Sequence, residues 1–162
     1  MSKAVVPVAS YVEELRHTIQ VAALNFDVWW AYKQRRDRAR FVAVLNAYPL
    51  FFQTSIHAHF VALVVALYRV YETRPDTFNV HELMRRLESE RGLSRRTLAP
   101  IRRRVAAAKK QWIKVSVLRN KAFGHRANAY SVGDVFRQAQ MKPNDLRRLL
   151  RRTQRLLNRI SY

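Results

Sequence analysis

Apolar residues recur at steps of three and four along most of this chain, the spacing of one face of an α-helix. Ser10 and Glu13 form a capping box, which predicts a first helix beginning near Tyr11. Leu15, Ile19, Ala22, Ala23, Phe26 and Trp30 mark its buried face. The run KQRRDRAR at 33–40 reads as a basic break before a shorter helix carrying Phe41, Val44 and Leu45. Pro49 either kinks the chain there or sits in the first turn of a third helix. That helix, 49–72, is the most apolar segment. Phe52, Ile56, Phe60, Leu63, Leu67 and Val70 form one stripe, widened by Val61, Val64 and Val65. A helix apolar this far round is expected at the centre of a bundle.

A second capping box, Asn79 with Glu82, opens a short helix to Arg91, with Leu83, Met84 and Leu87 inward and Gly92 as its stop. After the basic connector LSRRT, a long helix is expected from about 98–100 to 122–124. The polar stretch HRANAYSVG reads as irregular, and Ser131 with Asp134 caps a short helix to about Gln140. Pro143 suits the first turn of a last helix running to about Arg159. Leu146, Leu149, Leu150, Leu156, Leu157 and Ile160 share one of its faces; Arg147, Arg148, Arg151, Arg152, Arg155 and Arg159 fill the rest. Such a helix can lie on an anionic membrane or bind RNA, but a bundle helix with a solvated basic face is the preferred reading. The fold class is therefore all-α: an up-and-down bundle of about five to seven helices, read as one domain over 1–162.

Composition agrees with this and adds a direction. Three glycines and five prolines are too few for a turn-rich strand protein, and 49% hydrophobic residues argue against wholesale disorder. There are no cysteines, hence no disulfides or thiolate metal sites. The net charge of +20 is uneven: residues 1–80 carry nine basic and six acidic side chains, residues 81–162 carry 22 and five. A half of net +17 attracts polyanions, nucleic acid foremost. Pro7 interrupts an N-terminal apolar stretch too short for a signal peptide. The longest apolar run, 60–68, is about half the ~20 residues of a spanning helix. A soluble, cytoplasmic protein without membrane contact is expected.

One stretch, WIKVSVLRNKAFGHR at 112–126, holds the candidate chemistry. Upstream of it Ile101, Val105, Ala108, Trp112 and Val115 step by 4, 3, 4 and 3, and the next step of four falls on Arg119. Burying that guanidinium unpaired would cost several kcal/mol. Arg119 therefore either reaches solvent, pairs with a buried acid such as Glu72, or lines a cleft that grips phosphate. In an unbroken helix His125 would lie about 120° away from Arg119, so Gly124 must break the helix for the two to meet. Arg119, His125 and the Asn120 amide would then supply a phosphate-gripping cation, a group titrating near neutrality and a neutral hydrogen-bonding partner. His57 and His59 have no carboxylate or histidine at i+3 or i+4, and no catalytic metal or other cofactor is expected. Arg69 and Glu72, at i and i+3, either pair or stand beside a site.

The sequence RNKAFGH at 119–125 resembles the signature of HEPN domains: arginine, a polar residue, a few intervening residues, then histidine. The helix ending LYRVYE, the capped helix NVHELMRRL, the motif and the closing helix after KPNDL are similar in order to the abortive-infection, AbiU-like branch of that superfamily. The likeness covers about 49–160. It implies an all-α bundle that dimerises, bringing two motifs into one cleft, and a metal-independent endoribonuclease of a toxin–antitoxin or abortive-infection system. The ribose 2′-OH would attack the adjacent phosphate. His125 would transfer protons, Arg119 would stabilise the charged phosphorane and Asn120 would orient one of them. RNA would also meet Lys121, Arg126, Arg102, Arg103, Arg147 and Arg151. Tyr130 lies near the motif without matching a family pattern. The expected partners are RNA, a second copy and an antitoxin protein. The alternative is a non-catalytic basic helical module that binds RNA or an antitoxin.

Overall fold

The computed structural model describes residues 6–124 and 132–160. Among them are seven α-helices, one π-helical turn and no strand: α1 Val8–Lys33, α2 Arg35–Ala47, α3 Pro49–Tyr71, α4 Val80–Ser89, α5 Arg95–Leu118, the π turn Arg119–Gly124, α6 Val132–Ala139 and α7 Pro143–Ile160. The all-α bundle expected from the periodicity is what forms.

α1 and α3 make the most extensive pairing, and they run antiparallel, since Tyr32 meets Phe52, Trp29 meets Phe60 and Tyr11 reaches the loop beyond the end of α3. α7 closes the bundle against α1 and α5, while α5 also covers α3. Leu15, Leu63, Leu67, Leu118, Leu149 and Leu156 are almost wholly buried and form the centre. Truncating any one of them to alanine would cost about 2–5 kcal/mol.

Several local expectations fail for physical reasons. α1 begins at Val8, capped by Pro7, and Ser10 makes no side-chain cap. Val8, Tyr11 and Val12 are core residues, and burying them extends the helix upstream of the capping box. The basic run at 33–40 is helical except at Gln34, whose extended ψ of 133° makes the corner between α1 and α2. Arginine and lysine are good helix formers, and charge alone does not end a helix. Residues 95–97 of the basic connector likewise belong to α5: Ser94 Oγ accepts from the Thr97 N–H at 3.1 Å and caps it.

Other signals act as expected. Pro49 occupies the first turn of α3 and Pro143 that of α7. Asn79 Oδ1 accepts from the Glu82 N–H at 2.8 Å. The return half of that box is missing, because the Asn79 N–H donates to the Tyr11 hydroxyl instead, at 2.9 Å. The freed Glu82 carboxylate binds Arg85 and Arg86. Gly92 has φ +60°, a left-handed conformation that ends the α4 segment and returns the Leu93 N–H to Leu87 O.

α3 is long and apolar enough to cross a bilayer by length and composition, although the uninterrupted apolar run within it is short. In the fold its second half, from Phe60, is core. Its first turn and α2 are not. Phe41, Val42, Val44, Tyr48, Leu50 and Phe51 are exposed at one end of the bundle.

Candidate functional site

The buried stripe of α5 is Leu98, Ala108, Gln111, Val115 and Leu118, with Ile101, Val105 and Trp112 partly buried beside it. After Val115 the stripe therefore advances by three, to a fully buried Leu118. Arg119 does not interrupt the core. It lies on the flank, on the same face as Trp112, Ser116 and Asn120, and is half-buried. The reason is the 3.6-residue period: a stripe can step by three as well as by four, and packing chose the leucine.

The π turn begins at this arginine, five residues before Gly124. The Arg119 N–H still bonds as at an α-helix end, shared between Val115 O and Ser116 O, and the π turn follows from there. The break assigned to Gly124 is thus a widening that starts at Arg119. Such turns rotate the side chains that follow them relative to an α-helical register.

Two contacts fix the Arg119 guanidinium, and a third anchors its partner. It stands 4.7 Å from the centre of the Tyr68 ring, a cation–π contact. Its Nη1 donates to Asn120 Oδ1 at 3.0 Å. The other end of that amide, Nδ2, donates to Ser116 Oγ at 3.3 Å, tying the pair back to α5. Tyr68 is itself held by Trp112, whose Nε1–H donates to Tyr68 O at 3.3 Å and whose ring stacks at 6.1 Å. No ion pair joins Arg119 to Glu72 among the described residues, so the buried-acid option falls away. Arg69 and Glu72 do not form an ion pair either. Phe123 seats the far end of the π turn edge-on to His57 and Phe60 of α3, at 5.9 and 6.0 Å between ring centres.

His125, Arg126 and Tyr130 lie outside the described residues. The other expected RNA contacts are scattered. Lys121 Nζ donates to Gln138 Oε1 on α6 at 2.9 Å. Arg102 pairs with Glu88 of α4, and Arg103 is exposed on α5. Arg147 lies over Phe26 and Trp30 of α1, 5.4 Å from each ring centre, and is half-buried. Arg151 is exposed, as are Arg148, Arg155 and Arg159. Arg152 ties α7 to α5 through Ala107 O and Gln111 Oε1. Tyr68 and His57 were not legible as site residues in the sequence. Only the crossing of α3 and α5 brings them to the motif, and neither stands at a motif spacing. His59 Nδ1–H donates to Asn25 Oδ1 at 2.8 Å, and among the described residues no three metal-ligating side chains cluster.

The arrangement can hold an anion. Arg119 has five N–H donors in a fixed fork, and within the described residues one hydrogen bond engages them. The HEPN family model described as AbiU2 matches the chain over residues 6–162. No curated protein and no solved structure matches it.

Proposed function

As the chain belongs to the AbiU2 family of HEPN domains and is an abortive-infection-associated domain of that kind, we propose that it is a metal-independent endoribonuclease acting at a site shared by two copies. The observation that carries this is the seating of Arg119. An arginine at the motif position is pinned on Tyr68 and Asn120, with most of its donors uncommitted among the described residues. A guanidinium so fixed is suited to the charge that develops on a phosphorane, because no reorganisation is needed as the charge appears.

In the proposed reaction neutral His125 takes the 2′-OH proton and the 2′-oxygen attacks the adjacent phosphorus. Arg119 neutralises the phosphorane oxygens, and Asn120 orients Arg119. The P–O5′ bond then breaks, and His125 of the partner subunit gives its proton to the departing oxygen. The products are a 2′,3′-cyclic phosphate and a 5′-hydroxyl. The exposed apolar corner of α2 and α3 supports a second copy, since large apolar side chains rarely cluster on a monomer's surface without a partner. The exposed arginines of α7 support RNA as the substrate.

The test is a gel of total RNA incubated with wild type and His125→Ala in chelator. Wild type should cut and the variant should not, with RNA affinity within about threefold. Equal cutting by both would overturn the reading.

A further inference from the structure

A cavity of about 580 Å³ opens between α4 and α5, at the C-terminal end of α3. That is a size at which proteins hold small organic ligands. Met84, Val105 and Trp112 give it apolar walls, and Arg102 and Lys109 stand at its edge. Arg102 is paired with Glu88, but Lys109 is exposed and has no acidic partner among the described residues. Flat apolar walls beside an unpaired ammonium suit a ligand with a planar ring and a nearby anionic group.

Trp112, which lines the cavity, lies on α5 on the same face as the motif's Arg119. Trp112, Ser116 and Arg119 follow one another at steps of four and three, so they share a face. Trp112 and Arg119 are seven residues apart, a rise of about 10 Å at about 1.5 Å per residue. Stacked nucleotides advance about 3.4 Å per step along a strand, so the distance is about three steps. The Tyr68 ring bridges it, 6.1 Å from Trp112 on one hand and under Arg119 on the other.

We propose that the α4–α5 cavity is a nucleobase subsite that receives an unstacked base of the RNA whose phosphate lies at Arg119, with Trp112 beneath the base and Lys109 on its phosphate. This rests on the ribonuclease reading of Arg119 and gives that site a base preference. Aromatic platforms of this kind bind single strands through ring stacking, and a lysine beside them tracks the backbone. A free mononucleotide presents the same chemistry, so the two sources are separated by competition.

Ala106 is exposed on the cavity wall, so Ala106→Trp fills the space without disturbing the core. Its circular dichroism should match wild type. The probes are a short 2′-O-methylated RNA, which cannot be cleaved, and the four nucleoside monophosphates, followed by titration calorimetry. Ala106→Trp should weaken the RNA about tenfold or more, the order of one lost stacked base. Lys109→Glu should weaken it and flatten its salt dependence. The preferred monophosphate should compete with the RNA on wild type and not on Ala106→Trp. Unchanged RNA affinity and unchanged cut-site preference in Ala106→Trp would overturn the subsite while leaving ribonuclease activity intact. Binding of the RNA that depends on Ala106, in a protein that cuts nothing, would keep the subsite and overturn the nuclease instead.

Discussion

Replacing Thr153 by valine should destabilise the protein more than replacing Tyr71 by phenylalanine, although both remove one hydroxyl from the same hydrogen bond. Thr153 is fully buried on α7, and its Oγ1–H donates to Leu149 O at 2.8 Å. Its proton is thus committed, so at the 2.8 Å contact between the two hydroxyls Tyr71 is the donor. Tyr71→Phe removes that donor and leaves Thr153 still bonded to Leu149, at a cost near the net worth of one hydrogen bond, about 0.5–1.5 kcal/mol. Thr153→Val keeps shape but strands the Tyr71 hydroxyl, a buried group with no other hydrogen-bond partner among the described residues, at about 1–3 kcal/mol. The double variant strands nothing and should be more stable than Thr153→Val alone. Burial pushes the Tyr71 hydroxyl up to about 12, partly offset by its bond to Thr153. A raised folded value means stability that is whole below pH ~10 and is lost as pH rises toward 12. Tyr71→Phe should blunt that alkaline loss. Urea unfolding followed by circular dichroism, at neutral pH and across this range, measures all four corners. Equal costs for the two single variants, or a double variant as unstable as their sum, would refute the donor assignment.

Two further outcomes follow from the geometry. The Glu82 carboxyl is held below its ordinary value, first by the hydrogen bond from Arg85, against the opposing effect of burial, and then by Arg86. Its stabilisation is complete above the unfolded value of about 4.3 and is lost as pH falls through the lower folded one, so Glu82→Gln should flatten the melting temperature below about pH 4. Tyr68→Phe should leave RNA cleavage within about twofold, whereas Tyr68→Leu should lower it about fivefold, the order of ~1 kcal/mol for a half-buried cation–π contact. Similar rates for Phe and Leu would show that the ring does not hold Arg119.

Where sequence reasoning about the site missed, the cause was packing. The period through Val115 points to Arg119, whereas the core takes Leu118, one residue away. Both fit a helical period, and no pattern within α5 distinguishes them. Arg119 is therefore not a charge buried in the core. What singles it out is its place at the head of a π turn and its seat on Tyr68. The arginines of α7 looked alike in sequence. Arg147 and Arg152 prove to be engaged with α1 and α5, so an RNA-binding test belongs on Arg148, Arg151, Arg155 and Arg159.

The sequence by itself determined the helical class, because apolar spacing and the scarcity of glycine are local properties of the chain. It also determined the starts of α4 and α7, where an asparagine cap or a proline acts on its own few residues, whereas at Pro49 it left a kink and a first turn both open. The motif, with its family likeness, was equally plain. The tertiary structure decided which face of each amphipathic helix is core, where α1 and α5 begin, and what surrounds Arg119. Those choices belong to contacts between residues far apart in the chain: Tyr11 with Asn79, Tyr68 with Trp112 and Arg119, and Tyr71 with Thr153. A local pattern can offer such partners, but only the closed bundle brings them within a few ångströms.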